Sequence, residues 1–140
     1  MTDCIFCEIV AGRAPASIVY QDSEVMAFMD LIPATPGHLL VIPKAHYRNI
    51  FDVPPELAAK IMQVGAMLAP AIRATAGCVG MNCYIANEPA AGQSVFHLHL
   101  HLIPRYPGDG FGLRFPPGYG RRATRDEMED WAARIRAALT

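Results

Sequence analysis

Residues 97–103 read His-Leu-His-Leu-His-Leu-Ile, three imidazoles alternating with apolar side chains. Alternation is the period of a β-strand, whose side chains point to opposite faces in turn. An extended backbone therefore puts His97, His99 and His101 on one face and Leu98, Leu100 and Leu102 on the other. Imidazoles two residues apart then stand roughly 6–7 Å from one another, at about 3.3 Å of rise per residue. Such a row can hold a proton relay, a nucleophile or a metal ion, whereas a plain solvent-facing strand would carry Thr, Lys or Glu. Imidazole titrates near neutral pH, and a neutral ring attacks through one nitrogen only when the other carries the proton. His99, flanked on both sides, is the natural nucleophile, with His101 placed to stabilise or relay charge.

Just upstream lies Asn87-Glu88-Pro89-Ala90-Ala91-Gly92-Gln93-Ser94. Its small residues leave backbone N–H groups open, and Asn87, Gln93 and Ser94 add side-chain donors. Fixed donors of this kind suit phosphate oxygens, whose developing charge they stabilise. Near the other end of the chain, Cys4-Ile5-Phe6-Cys7 is a Cys-x-x-Cys pair. Two histidines would complete a tetrahedral zinc site, and His46 and His97 are the candidates. A redox dithiol is the rival reading, but no thioredoxin-like strand precedes the pair. Cys78 and Cys83 lack such spacing, and Cys83 lies in an apolar stretch that suits the core.

The elements that must position these groups follow from periodicity and punctuation. Residues 17–21 and 25–29 form short strands around Asp22-Ser23-Glu24, an antiparallel hairpin. Residues 31–37 hold two prolines and a glycine and form a loop, and 38–43 form a largely apolar strand. A helix begins near Asp52, with Pro54 and Pro55 in its first turn, where a missing N–H costs least. Leu57, Ile61, Val64, Leu68 and Ile72 give it a buried stripe, and Pro70 is expected to kink or end it. Residues 80–86 form a strand, and the histidine strand follows after the loop. A Gly/Pro-rich loop spans 105–123, long enough to suggest a functional role. A last helix spans 124–139, opened by a Thr124/Glu127 capping box, with Met128, Trp131, Ile135 and Leu139 as its apolar stripe. No regular strand–helix–strand alternation occurs, so the expected fold is α+β on a largely antiparallel sheet, one domain over 1–140.

The balance of 12 basic against 13 acidic residues leaves no basic stripe for long nucleic acid, although a single nucleotide needs only a pocket. No apolar run has the length to span a bilayer, and Met1-Thr2-Asp3-Cys4 lacks the start of a secretory signal. A cytoplasmic setting is expected, where disulfides are rare.

At this point the residues resemble the histidine triad superfamily of nucleotide hydrolases and transferases, from Cys4 to Arg105. His97–Ile103 has that family's alternating form, Gly92-Gln93-Ser94-Val95-Phe96 precedes it, and Gly37–Lys44 is similar to its other signature segment. The resemblance implies a five-stranded antiparallel sheet with two main helices, and a homodimer whose sheets join into one of ten strands. It implies that His99 attacks the α-phosphorus of a nucleotide, giving a nucleotidyl-histidine that water hydrolyses, a displacement split into two easier steps. His101, with His38 behind it, would support that site, while Asn87, Gly92, Gln93 and Ser94 would hold phosphate oxygens. Asp30 would take the ribose hydroxyls, and Phe6, Ile9 and Phe28 would line the base pocket, with plain core packing as their other reading. Cys4, Cys7, His46 and His97 match the zinc quartet of the bacterial branch, a structural site with no open position. The implied ligand is a purine nucleotide, AMP or an adenylyl compound. The implied reaction is cleavage of nucleoside 5′-phosphoramidates or dinucleoside polyphosphates. A nucleotide-sensing or scaffold protein with little turnover is the alternative. A sugar-1-phosphate nucleotidyltransferase fits less well, because the chain is short for it and lacks a His-Pro-His centre.

Overall fold

The computed structural model describes residues 3–139. In chain order it contains α1 (Ile5–Val10), β1 (Ile18–Gln21), β2 (Val25–Met29), β3 (Leu39–Pro43), α2 (Pro55–Ala76), β4 (Gly80–Tyr84), β5 (Leu100–Arg105) and α3 (Arg125–Ala138). A single 3-10 turn at Pro89–Ala91 interrupts the loop between β4 and β5. The strands form one sheet in the order β1-β2-β3-β5-β4, every neighbouring pair antiparallel, so the α+β expectation holds. The first hairpin turns where expected. Asp22 Oδ1 accepts from the N–H groups of Glu24 and Val25 at 2.8 and 2.9 Å, the side-chain turn that favours Asp there.

Strand alternation divides the sheet into two faces. Val25, Ala27, Leu39, Val41, Leu98, Leu100 and Leu102 pack against Ile61, Val64, Leu68 and Ile72 of α2. Each such side chain contributes about 1.5–3 kcal/mol relative to exposure. Helix and sheet approach closely at Gly65, where an added Cβ would lie 2.9 Å from Leu100 Cδ2. The other face buries Met26, Phe28, Leu40 and Ile42 beneath Phe6 and Ile9 of α1, and the histidine rings stand on this side. Among the described residues no helix is long and apolar enough to cross a membrane.

Four expectations are corrected. Leu98, Leu100 and Leu102 do share one face, but β5 begins only at Leu100, so His97 and His99 precede the ladder. The backbone there bonds elsewhere. The Leu98 N–H donates to the Tyr47 carbonyl at 2.7 Å, and the His97 carbonyl accepts from a side chain. α2 runs six residues past Pro70, so the proline does not end it; packing of Leu68 and Ile72 on the sheet outweighs one lost bond. β4 stops at Tyr84 and not at residue 86. Cys83 is exposed on this edge strand instead of lying in the core. The last helix starts on the expected capping box, and its stripe of Met128, Trp131, Ile135 and Leu139 is exposed within the chain.

Candidate functional site

The short helix α1 explains the Cys-x-x-Cys spacing. Cys4 is its N-cap, and Cys4 Sγ accepts from the Cys7 N–H at 3.3 Å, so one turn brings both sulfurs to one side. His46 follows β3, and His97 closes the group. One donor atom from each of Cys4, Cys7, His46 and His97 lies within 4.8 Å of all the others. A tetrahedral zinc-sized ion sets edges of roughly 3.3 Å between nitrogens and roughly 3.6 Å between nitrogen and sulfur. The measured edges are 3.2 Å for His46 Nδ1 to His97 Nδ1 and 3.3 Å for both Cys4 Sγ to His97 Nδ1 and Cys7 Sγ to His46 Nδ1. Cys7 Sγ to His97 Nδ1 is 3.6 Å. The protonation pattern agrees. His97 Nε2 donates to the Pro43 carbonyl at 2.7 Å, which leaves Nδ1 with its lone pair toward the cluster. Burial, with Cys4 as the next cause, pushes the Cys7 thiol up to about 11, so a coordinated cation is what would hold it as thiolate near neutral pH.

The same accounting fixes the other rings. A carbonyl only accepts, so His99 Nδ1, 2.7 Å from the His97 carbonyl, carries the proton and Nε2 keeps its lone pair. His38 Nδ1 accepts from the Ala34 N–H at 3.0 Å, so its proton sits on Nε2. From there it points at His101 Nδ1, 2.9 Å away, with Asp30 Oδ2 at 3.4 Å. His101 therefore presents Nε2–H. Asp30, His38 and His101 also cluster at metal-ligand spacing, but His38 Nε2 has no lone pair to offer in this arrangement. The cluster is a proton-bearing row of hydrogen bonds and, so arranged, does not fit a metal.

Burial lowers His38, His99 and His101 alike. His101 is pushed down to about 4 by burial, then by His99 and His38. His99 is lowered by burial against its bond to the His97 carbonyl and the charge of Asp30. Burial also lowers His38, opposed by Asp30. All three are neutral near pH 7, the state in which an imidazole nitrogen can act as a nucleophile. His99 is 6% exposed and meets the edge of Phe6 at 5.2 Å between centroids, with His101 at 4.7 Å.

Phe6, Ile9 and Phe28 are core residues of this face, so a base would meet only their outer edges. Asp30 is tethered by the Ile32 N–H at 2.9 Å to its Oδ1. Beside it Leu31 and Ile32 are 94% and 84% exposed, an apolar surface that strand and helix periodicity does not flag in a proline-rich loop.

The loop after β4 is built differently from its sequence appearance. Gln93 is 5% exposed and all four of its amide bonds are spent inside the protein. Its Oε1 accepts from Asn49 Nδ2 at 3.1 Å and the Glu88 N–H at 2.8 Å. Its Nε2 donates to the Arg48 and Val95 carbonyls at 2.7 and 3.1 Å. Asn87 Oδ1 accepts from the Ile50 N–H at 2.8 Å, and its Nδ2 donates to the Ile85 carbonyl at 3.2 Å. Gln93 is thus a brace with no donor left for a phosphate, while Asn87 retains one amide hydrogen. Glu88 sits at φ 75°, a strained conformation for a side-chain-bearing residue. Arg48 holds it by two bonds of 2.9 and 2.7 Å, and Asn49 Nδ2 adds a third at 2.9 Å. Gly92 closes the turn at φ 85°, where a Cβ would be strained. Ser94 lines a cleft of about 400 Å³ shared with Cys4, Ile5, His46, Val95 and Phe96. The bracing pair Arg48 and Asn49 escapes sequence reading, because it lies some forty positions from the loop it holds. The ring of Tyr84 is also missed. It stacks on His101 at 4.4 Å with planes 14° apart.

The HIT domain model matches residues 11–108. A HIT family protein from Bacillus anthracis has a solved structure with a TM-score of 0.92 and 42% identity, covering 99% of this chain and 98% of that one. A Zn-bound histidine triad family protein from Mycobacterium smegmatis superposes with a TM-score of 0.75 at 37% identity, covering 98% of each chain. The adenylylsulfatase HINT3 of Arabidopsis thaliana is 36% identical over 107 residues, 76% of this chain and 54% of that protein. With the alternating histidines, the fold and the matched segment in agreement, this chain belongs to the HIT domain family.

Proposed function

We propose that this chain is a nucleotide-binding hydrolase or transferase that cleaves adenylyl compounds, nucleoside 5′-phosphoramidates or dinucleoside polyphosphates, at the α-phosphate. The observation that carries the reading is the bond between His99 Nδ1–H and the His97 carbonyl, which leaves Nε2 unprotonated with its lone pair free to attack. His99 Nε2 forms a bond to phosphorus as the bond to the leaving group breaks. The leaving group departs with its electron pair and takes up a proton, for which His101 Nε2–H is the nearest relay. Water then attacks phosphorus, frees His99 as the nucleoside monophosphate leaves, and returns one proton to solvent. Asp30 accepts from the ribose hydroxyls. The remaining Asn87 amide hydrogen, backbone N–H groups near Gly92, and Ser94 bind phosphate oxygens, and Phe6, Ile9 and Phe28 back the base. The family membership and the adenylylsulfatase among the relatives support this chemistry.

Cys4, Cys7, His46 and His97 would hold zinc, which in a closed four-ligand site supplies structural anchoring and no reactive position. The Zn-bound mycobacterial relative supports that assignment. Two copies would associate, since β4 leaves an open sheet edge and the α3 stripe is uncovered within the chain.

The test is mass spectrometry of acid-quenched protein after mixing with adenosine 5′-phosphoramidate. A wild-type adenylyl adduct, absent in His99→Ala together with AMP release, is expected. Full turnover by His99→Ala defeats the proposal. The near-complete burial of His99 favours a second reading, a nucleotide sensor. Tight AMP binding without product from any adenylyl compound would select it.

A further inference from the structure

The direction of the protons shared by His38 and His101 is set from outside that pair. Ala34 gives its N–H to His38 Nδ1 at 3.0 Å. A peptide N–H only donates, so His38 Nδ1 accepts and Nε2 carries the proton. His38 Nε2–H then donates to His101 Nδ1 at 2.9 Å, and the Asp30 carboxylate, another acceptor, favours the same sense from 3.4 Å. His101 is left with Nε2–H. In the reversed arrangement His38 would carry its proton on Nδ1 and accept at Nε2. The proton of His101 would then sit on Nδ1, and Nε2 would have nothing to donate. The Ala34 N–H is incompatible with that reversal.

Ala34 lies in the proline-rich loop 31–37, and two fasteners hold that loop to the end of β5. Thr35 is buried, and its hydroxyl donates to the Pro104 carbonyl at 2.6 Å. The Tyr106 hydroxyl donates to the Pro36 carbonyl at 2.7 Å. Pro104 belongs to β5, the strand that carries His101. The Thr35 carbonyl also accepts the His38 N–H at 3.2 Å, so Thr35 is bonded both to the strand of His101 and to His38 itself. We propose that Thr35 is a positioning residue for the acid half of the reaction: its bond to β5 keeps the Ala34 N–H on His38 and thereby a proton on His101 Nε2. It touches no substrate and acts through the three hydrogen bonds that follow it. The inference rests on the hydrolase reading above and adds a residue to it. No covalent step is added. As the P–N bond breaks, its electron pair stays on nitrogen and takes the proton of His101 Nε2. Water restores that proton, because the peptide N–H at the far end of the row has none to pass on.

The experiment compares kcat/KM for two substrates that share the adenylyl group. One is the phosphoramidate of butylamine, whose nitrogen leaves only with a proton. The other is the para-nitrophenyl ester, whose phenolate leaves without one. Wild type, Thr35→Val, Thr35→Ser and Tyr106→Phe are used, and nitrogen NMR of the histidine rings reads their protonated atoms directly. Any general loosening of the fold or of nucleotide binding scales both substrates alike and cancels in their ratio. General acid catalysis contributes about 10²–10⁴-fold, so Thr35→Val should lower the amidate-to-ester ratio by about 10-fold or more. His38 Nδ1 and His101 Nε2 should lose their distinct unprotonated and protonated signals in the same variant. Thr35→Ser keeps the hydroxyl and should restore both readouts. If Thr35→Val does not fold, Tyr106→Phe, which frees the Pro36 end of the same loop, carries the same expectation. A ratio that stays at the wild-type value, unchanged ring signals, no rescue by Thr35→Ser, or a wild type that cleaves only the ester overturns the positioning role while leaving adenylyl transfer to His99 intact. Release of AMP from neither substrate by wild type overturns both.

Discussion

Gln93→Glu is a nearly isosteric change at a buried position, and the four bonds of the native amide determine what it does. Oε1 of the new carboxylate still accepts from Asn49 and from the Glu88 N–H. The second oxygen, however, replaces a donor that stands 2.7 and 3.1 Å from the Arg48 and Val95 carbonyls. Two donated bonds become oxygen–oxygen contacts, and both carbonyls lose a partner. Each unsatisfied buried acceptor costs about 1–3 kcal/mol, and protonation of the carboxyl restores one donor at some cost in free energy. The expected loss at neutral pH is about 2–4 kcal/mol, a large share of the stability of a small domain. Repulsion by the carbonyls raises the folded-state pKa of the new group above its unfolded value near 4.3. Between these values the folded state binds more protons, so the deficit against wild type narrows as pH falls toward about 4.3. Urea denaturation of both proteins at pH 7 and pH 5 reads both effects. A loss under about 1 kcal/mol at pH 7, or a deficit that widens at pH 5, refutes the brace and returns Gln93 to the set of possible phosphate ligands.

Thr35→Val should cost about 1–2 kcal/mol in urea, because the buried hydroxyl donates to the Pro104 carbonyl at 2.6 Å and ties the proline-rich loop to β5. A strong chelator, or Cys7→Ser, should remove about one bound ion per chain by elemental analysis and lower the melting temperature; unchanged metal content in Cys7→Ser excludes the quartet. His101 titrates near 4 in the folded protein because of burial, then His99 and His38, against about 6.5 unfolded. In that window the unfolded chain binds more protons, so stability should fall as pH drops from about 6.5 to about 4, and His101→Asn should flatten the thermal profile. Identical slopes in the two proteins would count against a buried neutral ring.

The histidine row, the Cys4/Cys7 pair and the α2 stripe were legible because each is a short-range pattern with a regular spacing. Alternation alone puts Leu98, Leu100 and Leu102 against α2 and leaves the rings opposite. The end of the ladder at Leu100 was not legible, since it depends on the His97 carbonyl bonding to a side chain instead of a strand. Gln93 shows the same limit in the site. Its amide looks available beside glycine and serine, and only the distant Arg48 and Asn49 reveal that it is consumed. Helix α1 is six residues long, below the length at which a periodic signal stands out. The α3 stripe was visible as a pattern, but a pattern does not say whether a surface exists within the same chain to cover it.

His97 touches both functional clusters through different atoms: Nδ1 faces the sulfurs, Nε2–H is anchored on Pro43, and the carbonyl holds the ring of His99. On the function proposed above, ion capture and nucleophile geometry become one mechanical problem, solved at a single residue. A descendant of this chain that gave up Cys4 and Cys7 would have to find another clamp for that one carbonyl, or tolerate an attacking ring free to swivel.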